Sequence, residues 1–328
     1  MSSAAASPPS LTTRTTRGTG PTGLTWTVLR IHRSALWLWI GYVAVTAALL
    51  LWLWGPGTAG LDIIRHCAPA EVTACTAKGP TASTYHALLD VTELLIIVVP
   101  LLVAAFAGGA LIGRELDSGT VRLAWTQSVS PARWLTAKLA LPAALLVLGT
   151  IALVLLRRLV ASSSGGLASS KWHTSTSIYA SLGPTAVVLP LLGLAIGTLV
   201  AFLVRRPLPA LGLSLLVMGI VSAALCVGRD SLWPLETVTG SVSESYPSFS
   251  GVTVSEGAIT GSGAHVPDPL CDGDQACLVD HDITGFYREG HPPSHFWPLQ
   301  IVETGILAAL TALLVTVTYA ILKRKTSS

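Results

Sequence analysis

Six stretches of this chain run 18 to 20 residues without a charged side chain: 35–54, 94–112, 139–156, 186–204, 208–227 and 304–322. At 1.5 Å of rise per residue, a helix of that length crosses a hydrocarbon layer about 30 Å thick. Inside such a layer only the chain itself can satisfy backbone N–H and C=O groups, so only helices and closed barrels span it. Runs this long are helices. Leu, Ala and Val fill them, and Pro100, Pro142 and Pro190 kink a helix without excluding it. Composition excludes an ordinary soluble domain: 11% of the residues are charged, 51% are hydrophobic and the mean hydropathy is +0.64, where soluble domains carry about 25% charge. The expected fold is all-α and integral to a membrane. Six transmembrane helices are expected at about 35–54, 94–112, 139–156, 182–204, 208–227 and 298–322 within a domain over 24–328. Before it stands a Ser/Thr/Pro/Gly-rich tail, 1–23, expected to be disordered.

Charge gives the spans a direction. With the N-terminus in the cytoplasm, 13 of the 20 basic residues lie on the inner side: Arg14, Arg17, Arg30, Arg33, Arg114, Arg122, Arg133, Lys138, Arg205, Arg206, Lys323, Arg324 and Lys325. Only Glu115 and Asp117 among the acids join them, and Glu303 falls in the last span. The positive-inside rule selects this orientation, with both termini cytoplasmic; Arg157 and Arg158, at the outer end of the third span, dissent. Trp37 and Trp39 enter the first span and Trp52 and Trp54 leave it, as interfacial belts do. That first run is longer than a signal-peptide core and reads as an uncleaved anchor. Just before it, Leu24, Val28, Ile31 and Ala35 recur at helical spacing beside Arg30 and Arg33. They fit either a surface helix or a basic flank that fixes topology.

The outer segments are a first loop with Cys67 and Cys75 and a large loop, 228–295, with Cys271 and Cys277. On the oxidising side these four favour disulfides; Cys271–Cys277 is the nearest pair, although four cysteines allow three connectivities. Cys226, near the outer end of the fifth span, is expected to be a buried thiol.

The inner loop 113–138 is the segment best suited to receive a signal from outside the bilayer. Val121, Trp125 and Val129 form one apolar stripe at helical spacing, and Ser130-Pro131 is a helix start, with Ser as cap and Pro at the first helical position. The stretch Glu115-Leu-Asp-Ser-Gly-Thr120, then Thr126-Gln-Ser-Val-Ser130, then Arg133-Trp134-Leu135 with Lys138 resembles the first cytoplasmic loop of type-2 ABC-transporter permeases. It is most similar to an actinobacterial branch with the pattern GxxLARELExGTxRLAWTQSVxRxRWLxxKL. A second block, His291-Pro-Pro-Ser-His-Phe-Trp-Pro-Leu-Gln-Ile-Val-Glu-Thr-Gly305, resembles the entry to the last span of those proteins. Pro131 and His295 depart from the pattern by replacing basic residues.

The resemblance implies a type-2 ABC exporter permease-like subunit in the cytoplasmic membrane, forming a homodimer or heterodimer and driven by a separate cytosolic P-loop ATPase subunit. ATP and Mg would be bound by that partner. The chain has no G-x-x-x-x-G-K-[ST] sequence, so no cofactor and no enzymatic activity are expected of it. The resemblance gives Arg114, Glu115, Arg122, Arg133 and Trp134 the task of coupling the ATPase to the spans; Gly119 permits a turn and Thr120 can cap the residues after it. Read without it, these are ordinary solvated and interfacial residues of a membrane loop.

Other polar groups stand out less. Glu303 enters the last span, and Gln300 lies three residues earlier on the same face. An intramembrane carboxylate is a functional candidate, unless it sits near enough to the interface to reach water. Glu93 reads as interfacial. Asp268, Asp272, Asp274, Asp280 and Asp282 do not follow the spacing of a calcium loop, and His291 and His295 lack a third zinc ligand. The basic residues are scattered along membrane flanks, which speaks against nucleic acid and for membrane lipid as their surroundings. Two further functions remain open: a non-transporting ABC-like subunit that senses an envelope signal through the outer loop, and a secondary transporter, which should carry more buried ionisable residues.

Overall fold

A computed structural model describes residues 33–63, 77–121, 130–163, 176–244, 246–271 and 273–326. The tail, the surface-helix segment before residue 33, Cys67, Cys75 and the 122–129 part of the inner loop, with Arg122, Trp125 and Val129, lie outside the described residues. Among the described residues, six helices are long and apolar enough to cross a membrane. In chain order the helices are α1 (Arg33–Trp54), α2 (Ala82–Phe106), α3 (Arg114–Asp117), α4 (Pro131–Ser163), α5 (Thr176–Leu182), α6 (Thr185–Val204), α7 (Pro207–Gly228), α8 (Gln275–Asp280) and α9 (Phe296–Thr326). A π-helix, Ala107–Gly113, joins α2 to α3 without a break.

Helices α2 and α6 form the centre. Of their most apolar windows 56% and 61% are buried, against 17% for α1, α7 and α9. Helices in lipid gain little from burying apolar surface against each other, so close backbone approach through small residues has to hold them. A Cβ on Gly193 would lie 2.4 Å from the Pro100 carbonyl oxygen, and one on Gly197 would lie 2.4 Å from that of Ala104. The π-helix extends the contact to α7, where a Cβ on Gly108 would meet Ser214 Oγ at 2.4 Å. Helix α6 ends at Arg205, in the left-handed conformation (φ 57°), and Pro207 starts α7 at a position where its missing N–H costs nothing.

The charge-free runs mark only the middles of the helices. Helix α2 begins at Ala82, ahead of the run that starts at 94, and α4 covers Pro131–Ser163, beyond 139–156 at both ends; Glu93, Lys138 and Arg157 in these extensions are paired with residues of neighbouring elements. The expected span 182–204 divides at Gly183-Pro184 into α5 and α6, and the last helix runs from Phe296 to Thr326 instead of 298–322.

The segment 228–295, expected to be a loop, folds. Strands β3 (Glu236–Ser241), β4 (Val252–Thr260), β5 (His265–Val266) and β6 (Ile283–His291) form an antiparallel sheet in the order β3-β6-β4-β5. The pair β1 (Asp62–Ile63) and β2 (Ala77–Lys78) stands between α1 and α2. The four-stranded sheet has a core of Ala258, Cys271, Leu278, Ile283 and Phe286. Cys271 and Cys277 are joined in a disulfide with their Cα atoms 5.6 Å apart, and Asp274 caps α8 through the Ala276 N–H at 3.0 Å. The Tyr246 hydroxyl donates to Asp268 Oδ2 at 2.6 Å; burial, then the carboxylate beside it, push its pKa far above the ordinary tyrosine value. Cys226 is exposed on the surface of α7, contrary to expectation, because the helix turns that face away from the bundle.

The α2–α6 contact predicts a contrast. Gly197→Val forces a side chain into the α2 backbone and should lower stability by about 1–3 kcal/mol. Gly212→Ala, which meets nothing within 4 Å, should stay within about 0.5 kcal/mol of the parent. Thermal unfolding in detergent measures both.

Candidate functional site

The π-helix delivers α2 to the inner loop: the Arg114 N–H bonds to the Gly109 carbonyl, five residues back. One turn of α3 follows, and the chain reverses at Gly119, whose φ of +70° suits glycine. The Thr120 hydroxyl stands 3.0 Å from that of Ser118 and donates to the Glu115 carbonyl at 3.4 Å, so it closes this turn. The chain returns at Ser130. Its Oγ accepts the Arg133 N–H at 3.4 Å, its carbonyl accepts the Trp134 N–H at 3.0 Å, and Pro131 opens α4.

The coupling candidates divide by where they face. The Trp134 side chain, 4% exposed, packs in the core cluster that includes Val121, Leu135 and Leu322. Glu115 is bound by buried Lys138, one α4 turn beyond Trp134. These residues fasten α3 to α4. Arg114, Asp117, Ser118, Gly119, Thr120 and Arg133 are exposed. The sequence places Glu115 and Trp134 in one coupling set with Arg114 and Arg133; what separates them is burial, which comes from Lys138 on α4 and from a core cluster that includes Leu322 on α9.

A second polar site lies at the other end of the bundle. Glu303, 1% exposed, does not reach water; it accepts from Arg229 Nε, just past α7, at 3.2 Å. The Arg229 guanidinium also lies 4.0 Å over the Tyr179 ring of α5. Gln300 does not share a hydrogen bond with Glu303. Its Oε1 accepts from the Thr185 N–H at 3.3 Å and the Thr185 hydroxyl at 3.0 Å, and its Nε2 donates to the Tyr179 carbonyl at 2.8 Å. One side chain thereby satisfies backbone groups on both sides of the α5–α6 break. A Cβ on Gly183 would come within 2.0 Å of Gln300 Oε1.

Glu93 and Arg157 were missed. Arg157 Nη2 donates to Glu93 Oε1 at 2.6 Å, and their side chains are 0% and 5% exposed. Arg158 Nε donates to the Leu182 carbonyl at 2.7 Å, with its guanidinium 4.4 Å over the Trp297 ring. A signal was present. Glu93 directly precedes one charge-free run and Arg157 directly follows the next, so antiparallel helices bring the opposite charges to one depth. Arg229 and Glu303 repeat this on α7 and α9.

Three of the aspartates around the four-stranded sheet serve turns. Asp268 accepts the Leu270 N–H at 2.8 Å, Asp274 caps α8 and Asp282 accepts the Gly261 N–H at 3.1 Å; Asp272 lies outside the described residues. The His291 and His295 Nδ1 atoms are 3.1 Å apart, and no group of three metal-ligating side chains occurs among the described residues.

The buried pair yields a prediction. Arg157→Met strands the Glu93 carboxylate in an apolar setting and should cost about 3–5 kcal/mol, whereas adding Glu93→Leu should restore most of that loss. Folded yield and unfolding temperature of the two single variants and the double variant measure the coupling.

The family model for "ABC-2 membrane transporter related" proteins matches residues 40–228, more than half of the chain, including the inner loop and the Glu93–Arg157 pair. No curated protein and no solved structure matches. The chain, a multi-pass helical membrane protein, belongs to the ABC-2 membrane transporter related family.

Proposed function

We propose that the chain is the permease subunit of an ATP-driven exporter, driven by a separate cytosolic P-loop ATPase that docks on the loop 113–138. The observation that carries this reading is the two-sided construction of the loop. Arg114, Asp117 and Arg133 face outward, while Glu115–Lys138 and Trp134 tie the same residues to α4 and the core. A partner that pressed on such a surface would move α2 and α4 as a unit. The family supports a membrane subunit of an ABC system, and the loop pattern supports the actinobacterial branch within it. On this reading both termini and the loop are cytoplasmic, the cytoplasmic membrane is the site of action and two permease chains assemble around the translocation path.

The reading is tested by reconstituting the chain with its ATPase. Arg114→Ala/Arg133→Ala should leave the unfolding temperature unchanged and lower transport-coupled ATP hydrolysis by about tenfold, as loss of two interface arginines would. Glu115→Ala should lower coupling and the unfolding temperature together. Unchanged coupling in the Arg114/Arg133 double variant would overturn the docking surface.

One observation favours a second reading. The outer sheet has its own core and a disulfide, as a module that senses an envelope signal would need. Stimulated hydrolysis without efflux of any offered compound would favour sensing over transport.

A further inference from the structure

An apolar cavity of about 320 Å³ opens between α1, α2 and α4, at the end of the bundle that carries the inner loop. Its volume is at the lower end of the range for ligand sites, roughly 300–1,000 Å³. Leu38, Leu102, Leu141, Leu145 and Leu146 supply much of the wall. Two lining side chains have polar atoms, and both are turned to backbone. Trp39 Nε1 donates to the Leu145 carbonyl at 3.1 Å, and the Tyr42 hydroxyl donates to the Leu95 carbonyl. The rings of Trp39 and Tyr42 stack with an interplanar angle of 12° and present carbon to the cavity. Room for the indole is made by Gly149, where a Cβ would fall 2.7 Å from Trp39 Cζ2. The walls are thus built for a ligand that asks for no hydrogen bond.

Position supplies the rest. The lining residues lie on membrane-spanning helices, where the medium consists of acyl chains. Two exposed arginines adjoin lining residues along the chain: Arg33 begins α1 two residues before lining Ala35, and Arg114 follows lining Leu111 by three. A hydrocarbon tail in the cavity would leave its headgroup at their level, where each basic residue favours negative charge. We infer that this cavity holds one acyl chain of an anionic phospholipid as a resident ligand of each chain, packed between α1, α2 and α4.

The full-length protein is reconstituted into vesicles of equimolar phosphatidylglycerol and phosphatidylcholine, re-extracted in mild detergent and weighed by native mass spectrometry. One retained phospholipid per chain is expected, with phosphatidylglycerol favoured about fivefold. Leu102→Trp fills the cavity from a position already 52% exposed and should reduce retention at least about tenfold, an effect equal to about 1.4 kcal/mol. Arg33→Gln should keep the lipid and weaken the headgroup preference, an arm that does not depend on how Leu102→Trp folds. A parent chain that emerges free of lipid overturns the inference, as does full retention by folded Leu102→Trp. Equal retention of both headgroups by the parent overturns its anionic part.

Discussion

Charge is tolerated inside this bundle only in company. Glu93 with Arg157 and Arg229 with Glu303 join elements 64 and 74 residues apart, and Glu115 with Lys138 joins α3 to α4. In an apolar medium the desolvation of either partner alone would exceed anything local packing returns. The pairs therefore specify which helices adjoin, while the glycine contacts between α2 and α6 set how closely they approach. Apolar side chains fill the space between. They cannot choose neighbours, because they pack as well against lipid.

The same logic explains the inner loop. A helix that leaves the bilayer would normally fray into a mobile connection. Here the π-helix keeps α2 continuous into α3, and the Glu115–Lys138 pair and Trp134 fix the turn against α4. Rigidity on one face and charge on the other give this short segment the properties of a lever arm. Both properties rest on the chain's own residues.

How much was legible in the sequence depends on how local each cause is. Six helices could be read because a bilayer demands unbroken apolar length, and each run satisfies that demand by itself. Their ends could not, because Glu93 and Arg157 look like solvated flanks until the partner is known. The outer sheet escaped for a related reason. Strand β3 sets half-buried Val238 and Gly240 between exposed Thr and Ser residues, too short an apolar signal to read alone, and it is held by pairing with β6. Glu115 and Trp134 stand out in the sequence as coupling candidates, but nothing in a linear string says that Lys138 pairs with Glu115 or that Trp134 is buried in the core. Gln300 was noticed for its neighbour Glu303, whereas its partners, Thr185 and Tyr179, are more than a hundred residues away.

The α5–α6 break has a consequence for the order in which the chain is made. Residues 179–185 leave the ribosome well before Gln300, so the groups at the break that Gln300 satisfies are left without it during that interval. Arg229 likewise precedes Glu303. The first three spans contain both members of the Glu93–Arg157 pair and can settle their own electrostatics as they enter the bilayer. The later ones cannot. Docking of α9 supplies the missing acceptor and the missing amide together, so the emergence of α9 is itself the step that closes this end of the bundle.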